Sequence, residues 1–164
     1  MQTFLPLPDM RASMRTLDRA RLGKQRVEGV QILRTRLGIS SGWARHPAVR
    51  MWEGHEWALA RYVGFACLEW QARGYTDNLW RVPALLLGLL DPADVPADAP
   101  ETVRAAAVWR TFQPPLDRGP GLPPWWGDLR LHGSHRSRLL AKDFAHYSQF
   151  DWTETPGQDY YWPV

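Results

Sequence analysis

Two stretches of the chain carry their own start and stop signals, and together they settle the fold class. Asp18 is a candidate helix N-cap and Gly38 a terminator, which predicts a helix over 18–37 with Leu22, Val30, Leu33 and Leu37 as its apolar stripe. His46-Pro47 puts proline at a first helical position, and Arg73-Gly74 closes a second helix. Trp52, Leu59, Val63, Ala66, Cys67 and Trp70 line one face of that second helix. Shorter helical pieces are expected over 83–90, 101–112 and from near Ser134 to about Lys142, with an Asp/Pro/Ala-rich connector at 91–100. Residues 1–8 read as an extended arm, 114–127 as a loop and Tyr160-Tyr161-Trp162-Pro163 as an extended tail. No segment alternates as a strand over more than a few residues. The expectation is a mainly α fold, a compact single-domain helical bundle over 1–164 with long Pro/Gly/Trp-rich loops, in which about 78–118 is a candidate insertion.

At 164 residues, with 45% hydrophobic and 23% charged residues, the chain can bury a sizeable core. The single cysteine, Cys67, excludes an internal disulfide framework and any multi-cysteine zinc site. No leader opens the chain and no apolar run approaches membrane-spanning length, so no membrane contact and a cytoplasmic location are expected. The net charge of +3 hides an asymmetry: residues 1–50 hold ten Lys/Arg against three Asp/Glu. Nine of those ten are arginine, whose planar fork suits bidentate phosphate contact. A basic N-terminal third in an otherwise slightly acidic chain points to a polyanionic partner.

On the first helix Arg21, Lys24, Glu28, Gln31 and Thr35 recur at steps of three or four and share one face. A lone carboxylate among fixed positive charges is held ionised, as a proton acceptor or cation stabiliser beside phosphates requires; an ordinary solvated face has the same spacing. Arg26 projects into the apolar stripe, where it needs a carboxylate partner or a pocket, and Gly29 beside it admits a close neighbour. Glu56, on the apolar face of the second helix, is the natural partner for Arg26, or else faces a pocket. His46 and Arg50 flank the start of that helix as anion contacts, or as a capping histidine and a surface arginine. In His132–Arg138, Ser134 as N-cap with His132, His135, Arg136 and Arg138 around it makes a phosphate pocket, a plain cap with surface charge, or a His-x-x-His metal pair. Ten tryptophans are abundant for this length, and several, Trp125 and Trp126 among them, fall in Pro/Gly-rich segments beside basic residues, a composition that can stack on bases.

The strings Met1-Gln2-Thr3-Phe4-Leu5-Pro6, Leu17-Asp18, Arg21-Leu22-Gly23-Lys24-Gln25-Arg26-Val27-Glu28, Gly42-Trp43 and His46-Pro47-Ala48-Val49-Arg50-Met51-Trp52 resemble a family of short phage and bacterial proteins. So do Arg73-Gly74-Tyr75, Pro124-Trp125, His132–Arg138, His146-Tyr147 and Tyr161-Trp162-Pro163. The family is described as pyrimidine-dimer DNA glycosylase-like, of the phage endonuclease V type, and the resemblance covers nearly everything except about 78–118. It implies a DNA glycosylase, with or without AP-lyase activity, acting as a monomer on damaged or modified pyrimidines in double-stranded DNA with no metal or other cofactor. Glu28 is similar to that family's catalytic glutamate, and Met1 offers the α-amine nucleophile. With residue two the bulky Gln2, Met1 stays in place; an activated water with Glu28 as general base is the alternative. By the same resemblance Arg21, Lys24, Arg26 and Arg50 hold phosphate or sugar. His46, His132, Ser134, His135 and Arg136 complete the pocket, and Trp125 and Trp126 stack on the opened strand. Two other functions fit the sequence: an N-glycosidase or transferase acting on a nucleotide or modified base, and a non-catalytic DNA-binding accessory protein.

Overall fold

The computed structural model describes residues 1–87 and 121–164 of the chain. Regular structure there is helical, without a strand among the described residues: α1 (Met10–Thr16), α2 (Arg19–Arg36), α3 (Pro47–Arg50), α4 (Glu56–Ala72), α5 (Val82–Leu86), α6 (Leu129–Lys142) and α7 (Phe144–Tyr147), followed by a 3-10 turn at Ser148–Phe150. The mainly α expectation therefore stands. The expected piece over 101–112, the connector at 91–100 and most of 78–118 lie outside the described residues, and α5 is the described part of the piece expected over 83–90.

Helix α2 forms where the cap signals place it. The Asp18 carboxylate accepts from the Ala20 and Arg21 N–H groups at its start, and Gly38 turns the chain at φ +73 beyond its end. Leu22 and Leu33 are fully buried, each contributing about 1.5–3 kcal/mol of burial. Their neighbours across the helix pair are on α4, where Leu59, Tyr62, Val63 and Ala66 are equally buried. The two helices meet at Gly29: a Cβ there would lie 2.5 Å from Val63 Cγ2, so only glycine fits.

Two boundaries depart from expectation. The second helix is broken, because the chain turns through Met51–Gly54 with Gly54 at φ +72 before α4 starts. That break shifts Glu56 to the first turn of α4, where it accepts from Arg36 Nε at 3.1 Å instead of reaching Arg26. The last long helix begins at Leu129 under an Asp128 cap, five residues before Ser134, so Ser134 sits inside it. Helix α1 falls between the expected elements; Asp9 caps it, and Arg73 donates to the Leu17, Met14 and Arg15 carbonyls at its far end.

The feature that positions the site is the N-terminal arm. It has no strand partner, yet residues 2–6 are buried, so side chains must satisfy its backbone. Phe4 N–H donates to Gln25 Oε1 at 2.8 Å, and Tyr62 Oη donates to the Phe4 carbonyl at 3.0 Å. Leu5 is held from both sides: its N–H donates to His135 Nδ1 at 2.9 Å, and its carbonyl lies 2.7 Å from His132 Nδ1. Arg136 donates to the Pro6 carbonyl at 2.7 Å and Trp126 Nε1 to that of Pro8 at 2.7 Å. The arm is thus tied to α2, α4 and α6 together.

Candidate active site

Following the arm back to its start leads to Glu28. Gln2 N–H donates to Glu28 Oε2 at 3.0 Å, which places the Met1 amino end beside the carboxylate. Met1, Gln2, Lys24 and Glu28 line a cleft of ≈ 580 Å³ with Arg21, His46, Lys142, Tyr160 and Trp162. Arg21, Lys24 and Glu28 also line an adjoining, wider hollow along the outer face of α2, so the cleft opens onto a basic groove.

Each wall has a local cause. Glu28, Lys24 and Arg21 project from α2 on the stripe their spacing predicts. Arg21 is braced by Asp18 at 3.3 Å and by the Lys142 carbonyl at 3.3 Å, while Lys24 is exposed and forms no ion pair among the described residues. His46 caps α3 through Nδ1, which accepts from Ala48 N–H at 3.1 Å. Burial, together with the positive chain terminus, holds its pKa below the ordinary value, against an opposing pull from Glu28. A neutral ring that accepts at Nδ1 carries its proton on Nε2. The tail closes the far side: Trp162 meets His46 edge-on at 5.8 Å, and Tyr160 packs against Phe4 and His135.

Chemically, this is a carboxylate, a primary amine and a neutral imidazole around one opening, with cations at the mouth. Among the described residues no group of three His, Cys, Asp or Glu side chains could hold a metal. Residues 1–81 match the family model described as pyrimidine dimer DNA glycosylase. That match, over just under half of the chain, supports the resemblance to that family. No curated protein and no solved structure matches it. At the level of the family the activity is that of a DNA glycosylase in DNA repair, with DNA as substrate. The matched stretch holds Met1, Arg21, Lys24, Glu28 and His46, whereas Lys142, Tyr160 and Trp162 come from beyond it.

Several residues expected at the site are elsewhere. Arg26 is 7% exposed; its guanidinium pairs with Asp77 and lies 4.5 Å above the Trp70 ring, so it is held inside the core. His132, Ser134, His135 and Arg136 do not form an anion pocket. The two imidazoles are buried on the Leu5 backbone, Ser134 Oγ donates to the Leu131 carbonyl, and Arg136 pairs with Glu154 and Pro6. Burial keeps both histidines neutral, with His135 lowered to about 3. Trp125 is a core residue whose Nε1 donates to the Met51 carbonyl, and Trp126 is half-buried with its Nε1 on the Pro8 carbonyl. Arg50 is exposed but lines a separate cleft with His55, Trp125 and Tyr161. Nothing in the sequence marks Lys142, Tyr160 and Trp162 as site residues, because only the three-dimensional return of α6 and the tail brings them to Glu28.

Proposed function

We propose that the chain is a DNA glycosylase with associated lyase activity on damaged or modified pyrimidines, acting as a monomer on duplex DNA. The observation that supports this most is the 3.0 Å hydrogen bond from Gln2 N–H to Glu28, which holds an α-amine and a carboxylate at one cleft. The Met1 amine attacks the sugar C1′; the N–C1′ bond forms as the glycosidic bond breaks, the bond pair leaves with the base, and solvent protonates the departing base. Glu28 stabilises the positive charge that develops on the sugar. It then takes a proton from the new C1′ ammonium and delivers it to O4′ as the ring opens, which leaves an iminium. Loss of a C2′ proton from that iminium expels the 3′ phosphate and cuts the strand. Lys24 and Arg21 at the mouth suit the flanking phosphates.

Borohydride trapping on duplexes that carry a pyrimidine dimer or an abasic site tests the reading. Wild-type protein should yield a covalent adduct, and both Glu28→Gln and chemical acetylation of the α-amine should abolish it. Base release without an adduct would retire the amine in favour of a water activated by Glu28. Salt-sensitive DNA binding with neither product would mark a binding protein without chemistry.

A further inference from the structure

Trp43 is 63% exposed and adopts φ +64, a left-handed conformation that a bulky residue rarely takes. Its placement is fixed rather than loose: the Trp43 carbonyl accepts from His46 N–H at 2.8 Å, and its ring meets the His46 ring edge-on at 5.7 Å. It lines a hollow of ≈ 430 Å³ with Met1, Gln31 and Arg34, next to the Glu28 cleft, and Met1 lines both. Arg34 is exposed and forms no ion pair among the described residues. A rigidly carried indole, open to solvent and flanked by a cation, is therefore on the rim of the cleft that holds the amine and carboxylate.

We propose that Trp43 stacks on a nucleobase of the DNA next to the excised position, filling the gap left when the target nucleotide leaves the helix. This rests on the glycosylase reading above and adds to it the residue that reads the opened strand. A π face suits any base, Arg34 supplies the neighbouring phosphate contact, and extruding a nucleotide leaves its neighbours with an unstacked face.

The test is affinity for a duplex with a tetrahydrofuran abasic analogue flanked by 2-aminopurine, which requires no chemistry. Trp43→Ala should weaken binding about 5- to 100-fold and lose the 2-aminopurine fluorescence change, while Trp43→Phe keeps most of both. Trp43→Gly should bind as poorly as the alanine variant yet melt about 2–4 °C higher, since glycine relieves the left-handed strain. Wild-type affinity and fluorescence in Trp43→Ala would overturn the proposal, as would a loss of binding that tracks a loss of stability. Absence of base release and adduct in the wild type would sink the catalytic reading and leave this binding comparison still decisive for Trp43.

Discussion

Glu28 Oε2 accepts the backbone N–H of Gln2 at 3.0 Å, so the carboxylate that faces the cleft also anchors the first residues of the arm. The two roles separate by substitution. Glu28→Gln keeps an acceptor for Gln2 but loses the charge and the proton-carrying capacity. Single-turnover base release should fall by about 10²- to 10⁴-fold, while affinity for DNA holds or rises because a negative charge has left a basic groove. Glu28→Ala should in addition loosen the arm, seen as faster amide exchange at Gln2. Equal activity of wild type and Glu28→Gln would remove Glu28 from the chemistry.

The grip on Leu5 makes the arm acid-labile. His135 is buried and neutral, with its pKa lowered to about 3 by burial, by neighbouring His132 and by Arg136; His132 is shifted the same way. In the unfolded chain a histidine binds its proton near pH 6.5. Between about 6.5 and 3 the unfolded state thus carries more protons than the folded one, and stability falls as the pH falls. The slope is up to about 1.4 kcal/mol per pH unit for each histidine, with the full contribution present above about pH 6.5. Urea midpoints at pH 7.5, 6 and 5 check this. His135→Gln should be less stable at pH 7.5 but show a flatter decline.

The buried Arg26–Asp77 pair can be tested by removing one partner and then both. Asp77→Ala strands a buried guanidinium and should cost about 3–5 kcal/mol in urea unfolding. Replacing both partners, Arg26→Met with Asp77→Leu, should recover most of that loss. Because the pair lies away from the cleft, the double variant should bind DNA with unchanged salt dependence. A reduced salt slope would return Arg26 to the phosphate contacts.

What could be read from the sequence follows the range of the forces involved. The α2 boundaries rest on local signals, Asp18 and Gly38, and the Arg21–Lys24–Glu28 stripe on helical periodicity, so both were legible. The pairing of Arg26 was half legible: burial demanded a carboxylate, but the partner, Asp77, lies after the Gly74 turn, and its place depends on how the chain folds back. Histidines and arginines at a supposed helix start suggest an anion in His132–Arg138, whereas the helix begins five residues earlier, turning His132, His135 and Arg136 onto the arm and Arg138 onto Asp159 of the tail. An arm whose backbone bonds to side chains leaves no periodic trace, so neither its burial nor its delivery of Met1 to Glu28 could be derived from spacing.

Gly29 gives the sharpest packing test, since the α2–α4 approach that carries Glu28 depends on it. An added Cβ would sit 2.5 Å from Val63 Cγ2 and 3.9 Å from Tyr62 Cδ1, so Gly29→Ala must push the helices apart or force Val63 off its rotamer. Overpacking of this kind costs about 1–3 kcal/mol, which exceeds the gain of up to about 1 kcal/mol that alanine brings to a helix interior. The net effect should be destabilising. Val63→Ala alone should also destabilise, by opening a cavity, but in the double variant the new methyl occupies part of that space. The two losses should therefore fail to add, with a favourable coupling of about 0.5–3 kcal/mol in a thermal or urea double-mutant cycle. Simple additivity would mean that the helices meet elsewhere. Because Tyr62 also bonds to the Phe4 carbonyl and to Gln25, Gly29→Ala should lower borohydride trapping in parallel with stability.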